Sequence, residues 1–275
     1  MDQLKGGTHA LERTGHELAH GEAAAPVPKV NQIGLADLRD ALAKGAGDLG
    51  ANRTDVVFLC AIYPVAGLVL AMLASGQELL PLVFPLVSGF ALIGPVAAVG
   101  LYEISRRREA GQEANLSHAL GVVHSPAIGS ILGLGLLLLA IFLAWLAAAY
   151  VIFLLTLGPE APASIGTFAS DLFTTGAGWA MIVVGVGVGF GFAVLVLAIS
   201  VVSIPMLLDR HVGIATAIAT SVRVVIANPR TMAVWGMIVT GGLVFGSIPA
   251  LIGLIIVLPV LGHATWHLYR KAVTY

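Results

Sequence analysis

Two histidines near the C-terminus have the types and spacing best suited to chemistry. His263 and His267 lie in "LPVLGHATWHLYRK" (residues 258–271), four residues apart, so on a helix both occupy one face. Neutral imidazole is the commonest metal ligand, and zinc needs three or four ligands. The pair would therefore bind a metal or haem only with further ligands, for which His124 and His211 are candidates.

The residues beside this pair favour a different interpretation. Trp266 and Tyr269 precede two basic residues, Arg270 and Lys271. That order is typical of an aromatic belt followed by a positive anchor at the end of a membrane helix. We predict that the histidines mark such a helix end, with no cofactor and no bound metal.

Ionisable side chains at matching helix ends form a second candidate site. Glu103 follows the second apolar segment, and Asp209 and Arg210 follow the fourth. Charged groups at membrane depth are costly, and they are often functional when they face the interior of a helix bundle. One interpretation is an ion pair between Glu103 and Arg210. The other is local pairing of Glu103 with Arg106 or Arg107, one helical turn later.

The first 34 residues are polar and lack the apolar region of a secretory signal. Their glycines and the stretch "AAAPVP" predict a disordered cytoplasmic tail, which leaves residues 35–275 as the membrane domain. Weak metal chelation is the alternative for the histidines and acids of this tail, which are His9, Glu12, His16, Glu17 and His20.

The composition points to a membrane. Of 275 residues, 58% are hydrophobic and 11% are charged, whereas soluble domains carry roughly 25% charged residues. The net charge of −1 gives no general attraction for nucleic acid. A membrane-crossing helix needs about 20 mostly apolar residues. We predict an all-α transmembrane bundle with six spans, at 56–74, 81–102, 127–157, 178–208, 232–246 and 249–268.

The basic residues indicate the orientation of these spans. All 14 lysines and arginines fall before span one, between spans two and three, between spans four and five, or after span six. The positive-inside rule places that side in the cytoplasm. We therefore predict a multi-pass protein of the bacterial inner membrane with both termini in the cytoplasm.

Spans two and six resemble each other. The segment "PLVSGFALIGPVAAVGLYEISRR" (85–107) aligns without a gap with "PALIGLIIVLPVLGHATWHLYRK" (249–271), which matches Pro95 with Pro259. Span four has a similarly late proline, Pro205. Proline inside a helix removes a hydrogen bond and bends the helix, so these prolines predict kinks.

A short amphipathic pattern with i, i+3/i+4, i+7 spacing precedes each odd-numbered span. We predict three repeated units, each an interfacial helix followed by a transmembrane hairpin. In the third pattern, Thr216, Thr220 and Arg223 are expected nearer the polar side. The predicted apolar stripes are Leu35, Leu38, Leu42 and Leu49; Leu116, Leu120 and Val123; and Ile214, Ile218 and Val225.

Glycines spaced four residues apart indicate close helix packing. The stretch "GVGVGFGF" (185–192) lies inside an apolar span with no strand before it, so it does not indicate a dinucleotide-binding loop. The predicted packing positions are Gly129, Gly133, Gly185, Gly187, Gly189, Gly191, Gly242 and Gly246.

Three blocks of the sequence resemble a known family. The blocks "FPLVSGFALIGPVAAVGLYEISRRREAG", "SIPMLLDRHVG" and "LPVLGHATWHLYRK" are similar to the bacterial six-span family known as domain of unknown function 2189, over roughly residues 35–271. The resemblance implies an integral inner-membrane protein. It implies no activity and no assigned functional residues.

The sequence contains no P-loop, no paired catalytic carboxylates and no Ser/His/Asp set, so we predict that the protein is not an enzyme. We predict a membrane scaffold or accessory subunit that contacts the lipid bilayer and other membrane proteins or a second copy. The repeat and the kinked helices favour the alternative, a channel or transporter for a small or apolar solute. A haem- or metal-binding membrane protein is the third interpretation.

Overall fold

The computed structural model describes residues 28–51, 77–160, 162–210, 212–249 and 251–275. Eleven α-helices lie in these residues, which confirms the all-α class. Short 3-10 turns, Gln77–Leu82 and Val122–His124, precede α2 and α5. In chain order α1 to α11 are Leu35–Ala51, Val83–Ala97, Val99–Glu109, Leu116–Gly121, Ile128–Thr156, Ile165–Thr174, Gly176–Ser200, Ser203–Asp209, Ile214–Ala227, Pro229–Ser247 and Leu254–Ala272.

Two helical stretches are long and apolar enough to cross a membrane. They are Ile128–Thr156 and Gly176–Asp209, which correspond to the predicted third and fourth spans. In their most apolar windows only 22% and 11% of the residues are buried within the protein. Helices this apolar and this unburied need a non-aqueous surrounding, because water would otherwise cover a large hydrophobic surface.

The second, fifth and sixth predicted spans correspond to helices that are shorter or less apolar than these two. The second is divided at Ala98 into α2 and α3, three residues after Pro95. The fifth and sixth fall on α10 and α11, which carry basic and polar residues at one end. The first, residues 56–74, lies outside the described residues.

The three predicted kink prolines behave differently from one another. Pro95 is followed by the interruption at Ala98, and Pro205 is the third residue of α8, just after the break at Val201 and Val202 between α7 and α8. Pro259 lies inside α11, which continues through it as one helix. The proline match between spans two and six therefore accompanies a helix interruption in only one of the two.

A two-stranded antiparallel sheet joins the two ends of the described chain. β1 (Lys29–Val30) pairs with β2 (Val273–Thr274), with Lys29 opposite Thr274. Asn228 holds the same region, because its side chain accepts from the Ile33 backbone N–H at 2.8 Å and donates to the Asn31 carbonyl at 3.0 Å. Part of the predicted tail is thus structured against α9 and α11. Residues 1–27 lie outside the described residues.

The densest packing lies where α1, α3, α8, α9 and the second half of α11 meet, a region that we call the basic end. It contains most of the largest fully buried side chains, and the described basic side chains are on these elements and their neighbours. Among the described helices, α1 and α11 make the most extensive contact. Fully buried members include Leu38, Leu101, Ile104, Ile204, Met206, Leu207, Trp266 and Tyr269.

Candidate functional site

A buried carboxylate, Asp48 of α1, is the centre of a polar site that three helices share. Its side chain accepts a hydrogen bond from the Ser105 hydroxyl at 2.5 Å. His267 Nε2 lies 2.9 Å from the same carboxylate oxygen, and Arg108 Nε lies 3.0 Å from the other. Because an ionised carboxylate only accepts, the His267 imidazole acts as the donor, whereas the Arg108 guanidinium contributes an ion pair without an aligned hydrogen bond from Nε. We call Asp48, Ser105, Arg108, His263 and His267 the Asp48 network.

His263 extends this network into the protein interior. Its Nδ1 lies 2.8 Å from Ser105 Oγ, and the side chain is completely buried. The hydroxyl of Ser105 donates its one hydrogen to Asp48, so its oxygen accepts from His263 Nδ1–H. His263 Nε2 has no hydrogen-bond partner among the described residues.

Glycine allows the helices that carry this network to approach closely. A Cβ on Gly45 would lie 2.7 Å from the backbone N of Ala264 and from the carbonyl O of Val260, so α1 and α11 touch through their backbones. A Cβ on Gly262 would lie 2.5 Å from the Leu101 side chain of α3. These contacts bring Asp48 within reach of side chains from both α3 and α11.

The network contains serine, histidine and aspartate, but not in the arrangement of a nucleophilic triad. In a triad the histidine accepts the proton of the serine hydroxyl. Here Ser105 donates to Asp48, and both Ser105 and His263 are completely buried. The arrangement joins three helices through charge-assisted hydrogen bonds and presents no nucleophile at the surface.

A second set of polar contacts fixes the end of α11. Trp266 donates its indole N–H to Glu109 at 2.9 Å, and Tyr269 donates its hydroxyl to Asp209 at 2.7 Å. Arg270 pairs with Glu109 at 3.1 Å. Trp266 and Tyr269 are buried against neighbouring helices, so the aromatic-belt interpretation is wrong for these two side chains. Their polar tips need partners inside the protein, which α3 and α8 supply.

His263 and His267 form hydrogen bonds with Ser105 and Asp48, and no third metal-ligating side chain joins them among the described residues. The described residues contain no group of three histidine, cysteine, aspartate or glutamate side chains that could hold a metal ion. His124 is exposed at the 3-10 turn before α5. His211 and the N-terminal histidines lie outside the described residues.

Glu103 and Arg210 each have other partners. Glu103 accepts from Arg106 Nε and Arg107 Nε, both at 2.8 Å, which is the local pairing. Arg210 pairs with Asp209 at 3.3 Å and lies over the Tyr275 ring, 4.6 Å from its centroid. A contact between Glu103 and Arg210 is not among the ion pairs of the described residues, because each side chain is occupied one turn away or less.

The predicted packing glycines divide into two groups. A Cβ on Gly133, Gly189, Gly242 or Gly246 would lie 2.8–3.1 Å from a neighbouring side chain, so these four are at close helix contacts. No described atom lies within 4 Å of a Cβ built on the other four. Those four are Gly129, Gly185, Gly187 and Gly191.

The described fold agrees with what the sequence comparison finds. Residues 83–209, from α2 to α8, match the model of the family described as a predicted integral membrane protein, domain of unknown function 2189. This part of the chain is similar to that family. No curated protein and no solved structure matches the chain.

The matched segment contributes only part of the Asp48 network. Ser105 and Arg108 lie inside the matched residues, whereas Asp48, His263 and His267 lie outside them. The segments before and after the match therefore pack against the basic end of the matched segment. This positions α1 and α11 as its immediate partners within the same chain.

Sequence reasoning missed Asp48, Ser105 and Asn228. A signal for Asp48 does exist: it continues the buried positions Leu38, Ala41 and Gly45 with helical spacing. An acidic residue on the buried face of an amphipathic helix needs a polar partner. Ser105 and Asn228 carry no comparable local signal, since their partners are distant in sequence.

The pH dependence of stability tests the charge state of this site. Burial would raise the pKa of Asp48, but hydrogen bonds from His267 and Ser105 outweigh it and hold the pKa below its ordinary value of 3.8. A carboxyl with a depressed folded-state pKa adds stability above its unfolded pKa and loses it as pH falls through the folded value. We expect thermal stability to fall more steeply below pH 4 in the wild type than in Asp48→Asn. Parallel pH curves would contradict this assignment.

Proposed function

We propose that the protein is a bacterial inner-membrane protein with six spans and cytoplasmic termini, and that it acts without catalysis as a scaffold or accessory subunit. The observation that supports this most is the Asp48 network. Its groups bond to one another to join α1, α3 and α11, and Ser105 and His263 are completely buried. Such a network favours one arrangement of helices, which suits a structural role better than turnover.

The outward face of α7 provides the surface for a partner helix. Gly187 and Gly191 are exposed there, four residues apart, and neither has a described neighbour around its Cβ position. Exposed valines and phenylalanine flank them, including Val183, Val194 and Phe190. Small residues at this spacing let a second transmembrane helix approach closely.

A channel or transporter is the second candidate, supported by the interruptions after Pro95 and before Pro205. A solute path would need polar side chains that share one cavity. Ser203 is completely buried and bonds to the Ile199 carbonyl, whereas Thr240 is exposed. Two cavities among the described residues, of about 150 and 240 Å³, are lined by other residues. The geometry therefore favours the scaffold.

The glycine face of α7 gives a direct test by co-purification. We expect Gly187→Leu/Gly191→Leu to reduce recovery of a membrane partner about tenfold or more, because overpacking a helix contact costs about 1–3 kcal/mol. The protein itself should stay folded, since no described neighbour is displaced and leucine favours helix more than glycine does.

Val186→Leu is the matched control, because Val186 is exposed on the same helix about 100° away from Gly187. Partner recovery should be unchanged by this control. Equal recovery with the glycine variant and the wild type would remove the glycine face from the proposed interface.

A further inference from the structure

The described basic side chains divide into paired and unpaired groups. Seven of them lie within 4 Å of a carboxylate: Lys44, Arg106, Arg107, Arg108, Arg210, Arg270 and Lys271. Four have no carboxylate at that distance among the described residues: Lys29, Arg39, Arg223 and Arg230.

Two of the unpaired arginines lie on either side of the junction between α9 and α10. Arg223 lies near the end of α9, and Arg230 is the second residue of α10. Both are exposed. Arg223 donates only to the Ala219 carbonyl and the Thr220 hydroxyl, each at 3.2 Å, so most of its five N–H groups have no bond within the protein.

An exposed apolar side chain lies between these arginines in sequence. Ile226 is 72% exposed, although α9 buries Ala217 and Val224 on its inner face. An exposed isoleucine one turn after Arg223 on the same helix suits the boundary between lipid headgroups and acyl chains. We call Arg223, Ile226 and Arg230 the α9 corner.

We propose that the α9 corner binds the headgroup of an anionic phospholipid. Guanidinium groups form charge-assisted hydrogen bonds with phosphate oxygens, and no carboxylate of the described residues lies within 4 Å to compete for them. The apolar Ile226 would contact the glycerol and upper acyl region of the same lipid. Charge complementarity selects an anionic lipid over a zwitterionic one, in which a cationic group offsets the phosphate charge.

Native mass spectrometry of the whole protein tests this assignment. The delipidated protein is incubated in detergent with phosphatidylglycerol or phosphatidylcholine, and the bound lipids are counted. We expect the wild type to retain phosphatidylglycerol preferentially. Arg223→Gln/Arg230→Gln should lower this retention about tenfold or more, from a contribution of roughly fivefold per basic residue.

Two further variants separate charge at the α9 corner from general effects. Lys44→Gln removes an exposed cation that is already paired with Asp40 at 3.0 Å, and it should retain phosphatidylglycerol as the wild type does. Arg223→Lys/Arg230→Lys keeps both charges and should recover most of the binding. Matching melting temperatures would show that all variants are folded.

Three results would overturn the proposal. The first is equal retention of phosphatidylglycerol by the wild type and the glutamine variant. The second is equal retention of phosphatidylglycerol and phosphatidylcholine by the wild type. The third is full displacement of the lipid by millimolar inorganic phosphate, which would identify a free-phosphate site instead.

Discussion

Gly45→Ala is expected to destabilise the protein by about 2–3 kcal/mol. A Cβ at this position would lie 2.7 Å from backbone atoms of both Ala264 and Val260, and backbone cannot rotate away as a side chain can. Helices α1 and α11 must therefore separate, which also lengthens the contacts that Asp48 makes with His267. Overpacking of this kind typically costs 1–3 kcal/mol. The measurement is the melting temperature of the purified protein in detergent.

Gly47→Ala is the matched control on the same helix. Gly47 is exposed and has no described atom within 4 Å of its Cβ position. Alanine is favoured over glycine in a helix by about 1 kcal/mol, so this variant should be as stable as the wild type or more so. If Gly45→Ala and Gly47→Ala melted at the same temperature, the close contact between α1 and α11 would be contradicted.

Asp48→Ala should have an effect of similar or larger size, about 2–4 kcal/mol. The substitution leaves the Ser105 hydroxyl without its acceptor and His267 and Arg108 without their carboxylate. Removing one partner of a buried charged network costs more than the network contributes, because the remaining polar groups stay buried and unsatisfied. Hydrogen exchange in α1 should rise in the same variant, since α1 loses its polar contacts to α3 and α11.

Asp40→Ala tests whether burial of the carboxylate is the reason that Asp48→Ala destabilises the protein. Asp40 lies on the same helix and pairs with Lys44 and Lys271, both at 3.0 Å, but its side chain is 43% exposed. Exposed ion pairs contribute about 0–1 kcal/mol, so this variant should melt near the wild type. Equal destabilisation by the two aspartate variants would show that general loss of charge, not the buried network, causes the effect.

The helices in which apolar residues recur at helical spacing, or form a long run, are predictable from the sequence. The spacing of Leu38 and Leu42 predicts the helix at α1, and long apolar runs predict α5 and most of α7. Their burial is less predictable. Leu35 falls on the predicted stripe but is 61% exposed, and Thr220, expected nearer the polar side of α9, is completely buried. Thr220 satisfies its hydroxyl by bonding to the Thr216 carbonyl four residues back, which makes its burial inexpensive.

The polar site depends on contacts that no local pattern contains. Asp48 and His267 are 219 residues apart, and Ser105 and His263 are 158 apart. The spacing of the histidine pair is compatible with metal binding or a helix end; Trp266, Tyr269, Arg270 and Lys271 favour the helix end, but no local residue predicts the bonds to Asp48 and Ser105. Gly45 and Gly262 allow the two histidines to bond to Asp48 and Ser105, because they bring α1 and α3 close to α11.

Gentle detergent purification from the native membrane tests the scaffold proposal most directly. Co-purifying proteins are identified and quantified by mass spectrometry, with a visible absorption spectrum taken on the same sample. A scaffold or accessory subunit should carry a stoichiometric membrane partner and show no haem absorption. A lone protein that moves a solute across liposomes or turns over a substrate would contradict the proposal.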